Sequence, residues 1–329
     1  MGNPLTGKEI TPEQQLAVER GFAWLARSQS TDGSFGAGGF TRNAAISALA
    51  GIAFMQGGNL PGRGKYGVNV QRSLDFILNS CQESGLIASD QSHGPMYGHG
   101  FATLFLGEVY GMTGDEQVKE KLQKAVRLIQ QSQNREGGWR YQPVPYDADI
   151  SVTITQVMAL RAARDAGIKV EKEVIDNAIR YVRNCQNADG GFSYMARSGG
   201  GGGGSGFARS AAGVASLYYA GIYEGDDVER GLKYLRQFNP APGKGGAPDV
   251  EGHYFYGHYY GVQAMFLAGG EYWAEFYPAL RDQLIARQNK TTGSWSGDVS
   301  EDYATAMALI ILQMPNRYLP VYAGKGPGG

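Results

Sequence analysis

The chain has 329 residues, 30 Lys and Arg against 31 Asp and Glu, and a net charge of -1. That balance excludes a basic footprint for nucleic acid and a polybasic patch for membranes. Two cysteines, Cys81 and Cys185, exclude a disulfide scaffold and a cysteine-rich zinc module. No run reaches the ~18 apolar residues of a membrane span.

In chain order, Met1-Gly2-Asn3-Pro4-Leu5-Thr6 comes first and fits the loose myristoylation pattern. The first twenty residues hold no apolar stretch of the secretory type. The expectation is a soluble, cytoplasmic protein with an N-terminal arm over 1–13. The 50 glycines and 20 tyrosines then direct attention to repeats.

Gln29 is followed by Gly33, Ser34 and Phe35. Gln133 is followed by Gly137, Gly138 and Trp139; Gln186 by Gly190, Gly191 and Phe192; Gln288 by Gly293, Ser294 and Trp295. Weaker copies begin at Gln82 and Gln237, and the six glutamines stand 53, 51, 53, 51 and 51 residues apart. Each unit reads as helix, turn, helix. A polar-faced helix precedes the glutamine, as over Val174 to Asn184, and a more apolar one follows the turn, as over Ser151 to Ala166. The turn glycines stop the first helix with positive φ, and the glutamine can bond backbone groups left over at helix ends.

Twelve alternating helices predict an all-α (α/α)6 toroid over residues 14–322, with an inner apolar ring, an outer amphipathic ring and a flexible tail at 323–329. Closure is favoured over an open superhelix because the last unit, through Ala306 to Leu312, carries no polar cap. Gly57 to Gly67, Ser198 to Gly206 and Asn239 to Asp249 read as loops. The run Gly199 to Gly204 lacks the spacing and preceding strand of a phosphate-binding loop.

These glutamine–glycine–aromatic units resemble the QW-type repeats of squalene-hopene and oxidosqualene cyclases. The alternating helices resemble the toroid those enzymes share with protein prenyltransferase β subunits. Complement-type thioester domains and lanthionine cyclases use the same toroid. Triterpene cyclases resemble two such halves joined, of which this chain holds one.

In the cyclases the proton donor lies in an Asp-x-Asp-Asp motif at the start of an inner helix. Asp147-Ala148-Asp149-Ile150 resembles it, with Ile150 in the last place. The resemblance implies Asp149 as the general acid, with Asp147 as a second carboxylate helping to hold it protonated. The alternative is that Asp149 caps the helix beginning near Ile150.

Tyr97, His99, His253, Tyr256, His258, Tyr259 and Tyr303, with Glu251 and Asp302, fall near inner-helix starts. They are expected to line a cavity whose π faces stabilise cations. Ordinary core packing is the competing reading for the aromatics and histidines. Glu251, Asp302 and Asp149 also leave a two-carboxylate sugar-cleaving site open.

The prenyltransferase zinc site needs a later His where Ala304 stands, so no metal is expected. No cofactor is expected either. Cys81 and Cys185 lack the Gln of a thioester motif. The reading is a protein that binds an isoprenoid-type apolar ligand, with protonation-initiated cyclisation by Asp149. The alternative is a non-catalytic toroid that binds a ligand, or a protein partner over the cavity mouth. Nucleic acid and membrane are not expected partners.

Overall fold

The computed structural model describes residues 9–89, 94–196, 203–240 and 253–322. Glu251, most of the Gly199 to Gly204 run, the Asn239 to Asp249 loop past residue 240, residues 1–8 of the arm and the 323–329 tail lie outside the described residues.

Twelve α-helices occupy the described residues in chain order. They are α1 (Pro12–Ser28), α2 (Ala44–Gln56), α3 (Gly67–Asn79), α4 (Met96–Thr113), α5 (Glu116–Gln131), α6 (Ile150–Asp165), α7 (Lys172–Asn184), α8 (Phe207–Tyr219), α9 (Asp226–Arg236), α10 (Tyr254–Ala268), α11 (Gly270–Arg287) and α12 (Glu301–Leu312). Odd helices are outer and even helices inner. On α5 the buried side chains, Val118, Leu122, Ala125, Val126 and Ile129, form one stripe, as an outer layer requires. On α2 every residue except Ala45 is buried, because neighbours flank it on several sides.

Each even helix packs on the next, and α12 packs back on α2, so the ring closes. Polar bonds seal the join. The Gly36 amide donates to Asp302 Oδ2 at 2.8 Å, and Gln14 Nε2 donates to the Leu312 carbonyl at 2.6 Å. The open superhelix is thereby excluded.

The repeat glutamine is the link between units. Gln133 Nε2 donates to Gly137 O in its own turn at 2.9 Å and to Val174 O in the first turn of α7 at 2.8 Å. Gln29 and Gln186 do the same with Asn69 on α3 and Asp227 on α9. Gln288 reaches Ala17 on α1 at 2.8 Å, so the closing junction repeats the internal ones.

The turn glycine packs against the backbone of the same outer helix. Gly137 has φ +103, and a Cβ there would sit 2.1 Å from the Asn177 carbonyl oxygen. The buried aromatic that follows is tied inward through its amide. Trp139 N–H donates to Thr153 Oγ1 on α6, and Phe35, Phe192 and Trp295 use Ser47, Ser210 and Thr305 on their inner helices.

The C-terminal ends of the inner helices surround a polar plug. The turn Pro320–Tyr322 packs on α4 and α6, and Tyr322 meets the Tyr259 hydroxyl at 2.9 Å. Buried Glu108 accepts a hydrogen bond from the Val321 backbone, and Tyr219 donates to Gln263 beside it. The toroid is therefore filled at this end and hollow at the other.

Candidate functional site

A cavity of about 940 Å³ opens where the N-terminal ends of all six inner helices converge. Ala44 comes from α2, Tyr97 and Phe101 from α4, Ser151 from α6, Arg209 from α8, Tyr256 from α10 and Tyr303 from α12. The loops add Tyr141, Tyr194 and Asp298, the last being the only carboxylate of the wall among the described residues.

The wall is cross-linked by hydroxyls. Tyr97 and Ser151 meet at 2.6 Å, Tyr256 donates to the Ser151 carbonyl at 2.9 Å, and Tyr141 and Tyr194 are hydrogen-bonded to each other. Burial raises the phenols of Tyr97, Tyr256 and Tyr303 far above their ordinary range, so they stay neutral. Their π faces and apolar edges suit a hydrocarbon and a developing cation.

Asp149 lies directly behind this wall, fully buried, as the N-cap of α6. Its Oδ1 accepts from Val152 N–H at 2.9 Å and from the Ser151 hydroxyl at 2.6 Å. Its Oδ2 is buried, forms an ion pair with Arg140 Nε at 3.7 Å and has the Tyr194 hydroxyl nearby. Burial pushes the Asp149 carboxyl above the usual range, although the Ser151, Val152 and Tyr194 bonds and Arg140 pull the other way.

Asp147 does not act on Asp149 as a paired carboxylate. It is half-buried and accepts from Arg140 Nη1 at 2.5 Å. Arg140 stands between the two carboxyls, paired with Asp147 and 3.7 Å from Asp149 Oδ2.

The other candidates divide. Tyr97, His253, Tyr256 and Tyr303 line the cavity. His99, His258, Tyr259 and Asp302 do not. His99 Nδ1 accepts from the Ile87 amide at 3.1 Å and Nε2 faces the Ala125 carbonyl at 3.2 Å, so it is the neutral Nε2–H tautomer joining α4 to α5. Burial lowers its pKa to about 4.

His258 packs against the rings of Phe207 and Tyr254 and bonds the Tyr254 carbonyl through Nδ1. Tyr259 belongs to the plug, and Asp302 to the ring closure. Inner-helix side chains near the mouth split between hollow and helix interface by rotation about the axis, which a chain position does not specify.

The sequence reading missed Ser151, Arg209, Tyr141, Tyr194 and Asp298. Register within the repeat would have found some of them. Tyr141 and Tyr194 each stand two residues after the turn aromatic, Trp139 and Phe192, and so reach the same place in successive units.

A sequence profile of the squalene-hopene cyclase C-terminal domain matches residues 102–268, half of the chain, including Asp147 and Asp149. The chain belongs to the squalene-hopene cyclase C-terminal domain family. No curated protein matches it in sequence.

Solved structures are similar to this squalene-hopene cyclase family chain in fold. The type II terpene cyclase MstE from Scytonema, in complex with geranylgeranyl dihydroxybenzoate, is 14% identical at a TM-score of 0.62, covering 96% of this chain and 100% of its own. An α-1,6-mannanase of Salegentibacter is 11% identical at 0.67, covering 91% and 98%. Cellobiose 2-epimerase from Spirochaeta thermophila is 12% identical at 0.68, covering 92% and 97%. At such identities the likeness is one of fold, spread over isoprenoid and sugar chemistry.

Among the described residues of this family member, no group of three His, Cys, Asp or Glu could hold a metal ion. No described helix is long and apolar enough to cross a membrane.

Proposed function

We propose that the cavity binds an isoprenoid-type apolar ligand and that Asp149 starts its cyclisation by protonating an alkene. The observation that carries this is a buried carboxyl, its Oδ2 clear of the helix cap, behind a tyrosine-lined hollow. Oδ1 is occupied by the helix cap and Ser151, so the acid proton sits on Oδ2.

Ser151 bonds Asp149 and lines the cavity. The Tyr194 hydroxyl also neighbours Asp149 from the wall. For the transfer, the Tyr194 side chain has to move aside so that the alkene can reach Asp149 Oδ2. The proton moves to one alkene carbon and leaves a tertiary cation on the other. Internal π bonds attack in turn, a carbon beside the last cation gives its proton to water, and water returns a proton to Asp149, so the product is an isomer of the substrate. Arg140, held by Asp147, stabilises the carboxylate as the proton leaves, which is stabilisation needed only in the transition state. A sugar-cleaving site needs two facing carboxylates; the described wall offers Asp298 alone.

Incubation with squalene and with shorter polyprenyl substrates, followed by product analysis, tests the reading. Asp149→Asn keeps an oxygen for the α6 cap but has no proton to give. It should abolish cyclised product while leaving the melting temperature intact. Asp149→Ala should also lose the cap, at a cost of about 1 kcal/mol. Absence of product from wild type, or full activity in Asp149→Asn, overturns the catalytic step.

A second reading keeps the toroid as a non-catalytic binding protein for a ligand or for a partner at the mouth. Its support is that Asp149 caps α6. An isoprenoid ligand co-purifying unchanged from both wild type and Asp149→Asn would favour it.

A further inference from the structure

We propose that the cavity's ligand is an amphiphile whose anionic head, a carboxylate or a phosphate, binds Arg209 at the start of α8 while its prenyl chain lies along the tyrosines. This rests on the isoprenoid reading above and narrows its substrate class.

Arg209 is the third residue of α8 and lines the cavity. A cation in the first turn faces the positive end of the helix dipole, an unfavourable place. The α8 N-cap is Gly206, which has no side chain to cap that end. A Cβ on Gly206 would come 2.9 Å from Arg209 Nη2, so the guanidinium lies over the helix end itself. Arg209 Nε is buried without a hydrogen-bond partner.

Arg140, near the same cavity, differs in being paired with Asp147. Asn43, Asp149 and Ser300 cap α2, α6 and α12 with their side chains. Gly206 at the start of α8 has no side chain to do the same, and His253, the α10 N-cap, also lies on the wall. One side of the mouth thus combines the α8 end with a guanidinium whose Nε is buried and unpaired. An anionic oxygen pair would supply what each lacks. The hollow of about 940 Å³ leaves room for the chain, since drug-sized ligands sit in pockets of roughly 300–1,000 Å³.

Calorimetric titration with three probes of one chain length tests this: geranylgeraniol, geranylgeranoic acid and geranylgeranyl diphosphate. At least one anion should bind wild type about tenfold more tightly than the alcohol, as one charge-assisted contact would give. The acid leading identifies a carboxylate head, and the diphosphate leading a phosphate head.

Arg209→Gln should remove the preference for the anions over the alcohol. Arg209→Lys should keep part of the preference. Equal binding of alcohol and anions, or a preference that survives in folded Arg209→Gln, overturns the anionic head alone. Failure of all three probes to bind overturns the isoprenoid reading with it.

Discussion

Asp149, Glu108 and His99 are fully enclosed ionisable groups, and burial drives each toward its neutral form. Glu108 is pushed up to about 8 by burial, with Asp165 adding to the shift and the Val321 backbone opposing it. An unfolded Glu ionises near about 4.3. Between that value and about 8 the folded state keeps a proton that the unfolded state has lost, so stability falls as pH rises through the window.

Glu108→Gln keeps the Val321 bond without the charge. It should raise the melting temperature at pH 8 by a few degrees and leave it nearly unchanged at pH 4, as measured by circular dichroism. His99 has the opposite sign. Its folded value of about 4 lies below the unfolded ~6.5, so its contribution is lost as pH falls across that interval. Thermal scans from pH 4 to pH 9 should therefore show loss at both ends, and a flat alkaline limb in Glu108→Gln.

At the scale of the element, the repeat turn is one device used several times. The glutamine satisfies a carbonyl of its own turn and another in the next outer helix, and the glycine lets the turn lie against that helix. Gly137→Ala would meet both a left-handed φ and the Asn177 carbonyl, so backbone must move. We expect a loss of about 2–4 kcal/mol in denaturant unfolding, within the range of strained and overpacked sites.

Gln133→Leu removes the side-chain donor to two carbonyls and should cost about 1–3 kcal/mol. The Gln-to-glycine spacing made these turns legible, because one local geometry needs both residue types. Their partners, Thr153 and Asn177, were not legible, since each lies on another helix brought alongside only by folding.

Across the whole molecule, closure gives the first and last units the same neighbours as the others. Gln288 bonds α1 as Gln186 bonds α9, and α12 lies against α2. An open repeat array can unravel from its ends; a ring has none. Calorimetric and spectroscopic unfolding should coincide in a single transition. Gln288→Ala should cost about as much as Gln186→Ala, roughly 1–3 kcal/mol each. A separate early transition in either variant would show that the closing junction is weaker than the internal ones. The plug also acts at this scale, because the Pro320–Tyr322 turn fills one end of the ring and leaves the hollow at the other.

The sequence by itself determined the helical class, six units and their alternation between amphipathic and apolar helices. Helix periodicity and turn chemistry are local, and both recur at a near-constant interval. It also carried the ambiguity of Asp149, since an acid and a cap need the same residue at the same helix start. Tertiary structure alone decided that Tyr97 and Tyr256 face the hollow while His99 and Tyr259 do not. It decided that Asp149 stands behind Ser151, and that Arg209 meets the start of α8. Those outcomes depend on the rotation of each inner helix about its axis and on which ends converge. Packing of the closed ring sets both, and no window of the chain contains it.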